Sequence, residues 1–294
     1  MLDDEPAAAT AVPAAAAAGD EALRAIGSPL AGMPHGVRAG TFVHRVLELT
    51  DFAAPDLDAE LAEQVADGLD GAGAEEIVAG LRAAIETPLG PVLGGLRLRD
   101  VQRADRLDEL AFELPLAGGD EPSGRLTLAA IAALLRRHLG PGDPLAGYAE
   151  RLDDPALPEV VRGYLTGSLD LVMRLPGDVP RFAVVDYKTN WLAASGEELS
   201  AWHYRPVALA AEMRRGHYGL QALLYTAALH RFLRWRVPGY DPATNLAGVL
   251  YLFVRGMSGP ETPVVDGTPC GVFGWTPPGA LVEELSDLLD EGAP

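Results

Sequence analysis

Residues 181–192 read RFAVVDYKTNWL, and this stretch holds Lys188, the single lysine of a 294-residue chain that carries 22 arginines. Arginine replaces lysine wherever only charge or solubility is wanted, but not where a compact ammonium on a flexible stem must approach one reacting oxygen. The segment FAVVDY is apolar on both faces, as expected of a strand inside a sheet covered on each side. Residues i and i+2 of a strand project from one face, so Asp186 and Lys188 point together into one site. The bland alternative is an ion pair on an edge strand. The apolar setting counts against it, because an idle Asp or Lys is costly there.

Working outward, TGSLDLVMRL (166–175) is a second strand, joined to the first by the turn Pro176-Gly177-Asp178, and it supplies Asp170. Two carboxylates on adjacent strands beside one lysine suggest a metal site. From Leu209 a short helix leads through Gly216 into LQALLYTAALHRFLRWR (220–236), a helix of about five turns with Gln221 and Tyr225 at i, i+4. Its apolar character packs it on the sheet, with Arg231, Arg234 and the residues beyond toward solvent. LAGVLYLFVRG (246–256) returns as a buried strand, and PGALVEELSDLLDE (278–291) closes with a helix. Upstream, GTFVHRVLELTDF (40–52) is a helix with Val43, Val46 and Leu47 on one face and His44 and Glu48 at i, i+4. Residues 57–88 read as helices broken at Asp70-Gly71-Ala72-Gly73, LDELAFELPL (107–116) as extended, and LTLAAIAALLRRHL (126–139) as an apolar helix with a basic end suited to its dipole. Strands followed by a crossover helix and another strand define an α/β fold.

Composition narrows the chemistry. Residues 1–26 are Ala/Pro-rich, lack a basic start with a long apolar run, and read as a flexible linker rather than a signal peptide. No stretch reaches the roughly 18 apolar residues of a membrane helix, so no membrane is expected and a cytoplasmic protein is. Cys270 is the only cysteine, which rules out an internal disulfide and cysteine-rich metal sites, so a metal must use oxygen or histidine ligands. The phosphate-cradling loop G-x-x-x-x-G-K-[ST] is absent. A net charge of −19 argues against a general nucleic-acid binder. The charge is uneven: residues 1–150 carry −14 and residues 151–294 only −5, and within 203–255 seven arginines face two acids, a local basic stripe.

His44, Glu109, Asp170, Asp186, Lys188, Gln221 and Tyr225, in that order, carry a resemblance. GTFVHRVLE, DELAFELP, GSLDLV, VVDYKTNWL, YGLQALLYTAALHRFLRWRV and GVLYLFVRG, from about Gly27 to Met257, resemble the PD-(D/E)XK nuclease superfamily, in its RecB-type nuclease domains. The resemblance implies a mixed central sheet flanked by helices over residues 27–294, with an acidic helical lobe at about 40–105 and a nuclease core at about 106–294. It implies that Asp170 and Asp186 are acidic metal ligands, that Lys188 is the catalytic lysine, that His44 and the Tyr187 carbonyl complete the metal shell, and that Glu109 is the upstream acid, with Glu113 nearby. Gln221 and Tyr225 either contact substrate or order Lys188, the plainer alternative being a buried polar cap and a core aromatic. Arg214, Arg215, Arg231 and Arg234 are candidates for DNA-backbone contacts, set against the plainer reading of a solvated helix face. Hard oxygen ligands suit Mg²⁺. The activity implied is Mg²⁺-dependent hydrolysis of DNA phosphodiesters in double-strand break repair and DNA degradation. The partners implied are DNA, a RecB-type helicase portion, and RecC-like and RecD-like subunits. Two rivals are a catalytically silent scaffold of the same fold, against which every ligand position being filled counts, and a two-carboxylate hydrolase such as a glycosidase, which needs neither lysine nor metal and is usually richer in aromatics than the 6% here.

Overall fold

Strand β1 (Arg106–Leu116) exposes Leu107, Glu109, Ala111, Glu113 and Pro115 and turns the residues between them inward, the period of two that the extended reading of 107–116 requires. It pairs antiparallel with β2 (Gly163–Leu175), which pairs antiparallel with β3 (Arg181–Lys188). Gly177 supplies a φ of 141° in the turn joining β2 to β3, a conformation open to glycine. β4 (Leu246–Phe253), buried at every residue, runs parallel to β3, and β5 (Val272–Trp275), which no periodic signal announced, closes the sheet antiparallel to β4. The result is a five-stranded mixed sheet in the order β1-β2-β3-β4-β5. The computed structural model describes residues 14–66, 68, 73–117, 126–154, 156, 157, 160, 161 and 163–292.

Eight helices of the described residues cover it: α1 (Ala14–Arg24), α2 (Val37–Leu49), α3 (Leu57–Val65), α4 (Ala74–Glu86), α5 (Leu128–His138), α6 (Pro206–Arg215), α7 (Tyr218–Arg236) and α8 (Gly279–Glu291), besides shorter helical turns. Local chemistry starts several of them. Asp56 accepts from the Ala59 N–H ahead of α3, Thr127 from the Ala130 N–H ahead of α5, and Pro206 opens α6. On one face of the sheet Val185, Tyr187, Leu250 and Leu252 pack with Val43, Val46, Leu61 and Leu81 of α2–α4. On the other, Val184, Val249, Tyr251 and Phe253 pack with Leu135, Leu223 and Leu285 of α5, α7 and α8. Truncating any one of these leucines to alanine costs about 2–5 kcal/mol. Because α2–α4 share a core with the sheet, the stretch expected as a helical lobe forms one wall of the sheet.

The expected linker also changes. Residues 1–13 lie outside the described residues, as do Asp70, Gly71 and Ala72 of the expected helix break, but residues 14–24 are helical. Alanine, which made the stretch look featureless, is the best helix former. Leu23 packs on Ala201 and Cys270, and Arg24 stacks 3.4 Å from the Trp202 ring centroid. No helix among the described residues is long and apolar enough to cross a membrane.

Candidate active site

The β2–β3 ladder ends at the pair Leu171–Val185, and the next residues outward are Asp170 and Asp186. In the β1–β2 ladder the pairs Asp108–Leu171 and Leu110–Leu169 flank Glu109 and Asp170, while β3–β4 sets Asp186 beside Tyr251. Glu109, Asp170, Asp186 and Tyr251 therefore form one row across four strands, where β2 and β3 part. Parting frees backbone groups for side chains: the Tyr187 N–H donates to Asp170 Oδ2 at 3.0 Å.

Asp186 is 2% exposed, and the Lys188 ammonium lies 2.6 Å from its Oδ2, which has no other hydrogen-bond partner among the described residues. Burial pushes the Asp186 carboxyl up to about 7; the Lys188 ammonium opposes that rise and Asp170 adds to it. Lys188 also donates to Gln221 Oε1 at 3.2 Å and stands 4.4 Å from the Tyr218 ring centroid. Gln221 Oε1 accepts a second bond from the Tyr251 hydroxyl at 3.1 Å, and Gln221 Nε2 donates to the Tyr225 hydroxyl at 2.8 Å. The amide is thus oriented on both ends and presents its oxygen to the lysine. Burial, then the charge of Asp186, pushes the Tyr225 hydroxyl up to about 12, which keeps it a neutral hydrogen-bonding group. Tyr251 was not singled out in the sequence. A tyrosine in a wholly buried strand needs a partner for its hydroxyl, and that was the available signal.

His44 reaches the row from α2. Its Nε2 stands 2.8 Å from the Tyr187 carbonyl oxygen and its Nδ1 3.3 Å from Asp170 Oδ2. Burial favours the neutral ring, but the hydrogen bond and charge of Asp170, with Asp186 and the Tyr187 carbonyl, outweigh it and raise the His44 pKa. When protonated, the ring donates from both nitrogens. Among the described residues no three His, Cys, Asp or Glu side chains converge closely enough to hold a metal ion. The reason is visible in the contacts: His44 closes on the Tyr187 carbonyl and Asp170, while Asp186 turns to Lys188. The donors nonetheless suit a hard cation. Two carboxylates, a carbonyl and an imidazole are oxygen-rich, and His44 Nε2 and the Tyr187 carbonyl oxygen are 2.8 Å apart, close to the roughly 3 Å between neighbouring ligands of an octahedral ion with 2.1 Å bonds.

Glu109 lies in the row but is exposed, with a left-handed φ of 47° that costs a non-glycine residue roughly 1–2 kcal/mol. Its charge bears on Glu48 of α2, whose pKa is raised by burial, then by Glu109 and Asp108. Glu48 thus joins the acidic rim through the i, i+4 spacing to His44. Glu113, four residues along β1 and also exposed, faces Thr166.

The basic stripe does not form. Arg255 is 0% exposed and donates to the carbonyls of Thr189, Leu30, Met33 and Pro34. Arg205 stacks on Trp202, and Arg215 makes paired bonds to Glu212, both at 2.7 Å. Arg231 is folded onto α8, donating to the Ser286 hydroxyl and carbonyl, so it is not directed to solvent. Arg234 is exposed and Arg214 half-buried. Of the seven cations, remote partners engage Arg231 and Arg255 and partners three residues away engage Arg205 and Arg215.

The fold and this row define a class: the model of the PD-(D/E)XK nuclease superfamily matches residues 22–269, and the chain belongs to that superfamily. Within it, the chain is similar to the RecBCD enzyme subunit RecB of Mycolicibacterium smegmatis, 50% identical over 273 residues, which is 91% of this chain and 25% of that protein. The RecBCD enzyme subunit RecB of Mycobacterium tuberculosis is 50% identical over 276 residues, 90% of this chain and 25% of that protein. That of Escherichia coli is 34% identical over 226 residues, 76% of this chain and 17% of that protein. The resemblance to RecB-type nuclease domains drawn from the motifs is borne out. The chain spans about a quarter of the length of the mycobacterial relatives it matches.

Proposed function

We propose that this chain hydrolyses DNA phosphodiester bonds as the nuclease module of a RecBCD-type helicase–nuclease, working in the cytoplasm in double-strand break repair and DNA degradation. Membership of a nuclease superfamily supports the reaction class. The observation that carries the reading is the placement of Lys188, the lone lysine, between Asp186 and Gln221 at the end of β3. Asp170, Asp186, the Tyr187 carbonyl and His44 would hold Mg²⁺, with the His44 contacts to the carbonyl and to Asp170 giving way. When bound, the ion supplies Lewis-acid stabilisation of the charge that builds on the phosphate.

The protein's own groups do the rest. An ammonium has three N–H donors. Two of Lys188's are taken by Asp186 and Gln221, and the third is available to a phosphate oxygen or to the attacking water. Gln221, fixed by Tyr225 and Tyr251, keeps the ammonium from swinging away, so the charge is aimed before substrate arrives. Glu109 lies on the acidic rim of the same row, where it acts on charge near His44. With −19 on the chain and its arginines largely engaged, DNA is delivered by a RecB-type helicase portion and RecC-like and RecD-like subunits. The decisive experiment incubates the purified chain with linear single- and double-stranded DNA, with Mg²⁺ and with EDTA. Mg²⁺-dependent products are expected; their absence supports a silent scaffold instead.

A further inference from the structure

Beside Lys188 the surface opens into a cleft of about 680 Å³ between the start of α2 and the segment that follows β3, lined by His35, Gly36, Gly40, Asn190, Trp191 and Tyr218 among others. This is within the range of small-ligand sites. Tyr218 joins it to the candidate active site, because the same ring lies 4.4 Å under the Lys188 ammonium. Among the described residues that line it there is no lysine, arginine or carboxylate, so it is not built for a phosphate. Its walls are instead flat rings with an amide at the rim. Trp191 and His35 meet edge to face at 5.9 Å.

The rings are held from behind. The buried Arg255 guanidinium stands 5.6 Å from the Trp191 ring centroid, and Asn190 Nδ2 donates to Glu212 at 2.9 Å and to the Tyr218 hydroxyl at 3.0 Å. Gly36 and Gly40 add no side chain to the opposite wall. A preorganised aromatic slot beside a phosphate-handling lysine matches the chemistry of a nucleobase.

We propose that this cleft takes a base of the strand being cut, stacked on Trp191, next to the phosphodiester at Lys188. The inference rests on the nuclease reading and adds a selection to it. Within a duplex both faces of a base are covered by its neighbours, so the slot accepts unstacked, single-stranded DNA. The phosphate chain is held by the active site, and the base reports whether the strand is open.

The test is read in EDTA, with hydrolysis off, on the whole chain. A fluorescent oligothymidylate is compared with a fully abasic oligomer of the same length and charge. The wild type is expected to bind the abasic oligomer about tenfold more weakly, the loss typical of one base–aromatic stack. Trp191→Leu, which keeps apolar packing against Arg255, is expected to bind both oligomers alike, and Trp191→Phe to recover most of the difference. Equal binding of the two oligomers by the wild type overturns the proposal, as does a Trp191→Leu variant that keeps the full preference. The wild-type comparison stands even if a variant fails to fold. Hydrolysis with Mg²⁺ is assayed separately, so a failed nuclease reading and a failed base slot give different results.

Discussion

Lys188 ends one of two neighbouring parallel strands, opposite Phe253, and Arg255 follows two residues beyond Phe253; Arg255 is fully buried and Lys188 largely so. Their surroundings differ in one respect. Arg255 spends its donors on four carbonyls, at 2.9, 2.6, 3.0 and 2.5 Å, and so pins residues 30–34, just ahead of α2, to the end of β3. Lys188 meets one carboxylate and one amide, with a donor left over, and its carboxylate partner sits near 7 because burial penalises its charge. A buried cation with four of its five N–H donors on backbone carbonyls is a rivet. One held only by two side chains, one of them an acid whose charge burial penalises, is set up to act on something that arrives.

The largest expected effects test the Lys188 side of that contrast. Asp186→Ala should reduce Mg²⁺-dependent DNA hydrolysis to background while the melting temperature holds or rises, since a buried, mutually repelling carboxyl is lost. Lys188→Arg, harmless on a charge-only account, should lower the rate by about 10²–10³-fold, the usual loss when one preorganised donor is displaced. Full activity in Lys188→Arg would make the lysine a second rivet.

Stability tests the other side. Arg255→Met strands several buried carbonyls and should cost about 3–5 kcal/mol, seen as a melting temperature lower by roughly 10 °C. Lys188→Met should cost much less, because Asp186 can take a proton. Equal losses in the two methionine variants would erase the distinction.

Two of the six histidines extend the contrast to pH. Burial, with Arg234 and Arg231 nearby, drives His230 down from 6.5 to about 4, and its Nδ1 meets the Tyr240 hydroxyl at 3.0 Å. Between those values the unfolded chain binds a proton that the folded one refuses. Stability from His230 is therefore complete above 6.5 and is lost as pH falls toward 4, by up to about 3 kcal/mol. Denaturant titrations across this range should show the loss in the wild type and less of it in His230→Gln. His44, raised by its acidic neighbours, should contribute the opposite slope.

The smallest effect concerns the surface arginines. Arg215→Ala should change DNA affinity by less than about twofold, because its guanidinium is committed to Glu212 and free phosphate contacts dominate binding. A salt series on the whole chain should give a shallow slope. A slope equivalent to about eight phosphates or more would show that the arginines are freer than their contacts indicate.

Much of the site is legible along the chain because it lies on regular elements. The i, i+2 spacing puts Asp186 and Lys188 on one face, the hairpin brings Asp170 alongside, and the i, i+4 spacing joins Gln221 to Tyr225. What escapes is whatever depends on remote partners. Nothing local distinguishes Arg255 from a solvated strand-end arginine; its acceptors Leu30, Met33 and Pro34 lie more than 200 positions away. The same remoteness hides the bonds of Arg231 to Ser286, 55 positions away, whereas Arg205 and Arg215 meet partners only three residues off. Glu109 is legible as an acid near β1 but not in its left-handed φ, and Trp191 stood in the motif without a role until the cleft beside it was visible.

The bond from His44 to the Tyr187 carbonyl joins positions 143 residues apart, and Tyr251, which braces Gln221, comes later still. During synthesis the histidine helix emerges long before the acid–lysine strand, and that strand before its parallel neighbour. Each piece is inert alone. If the proposed nuclease reading holds, a centre assembled this way would carry its own safety catch: a partial chain on the ribosome would lack the row, and fraying of the sheet would take it apart.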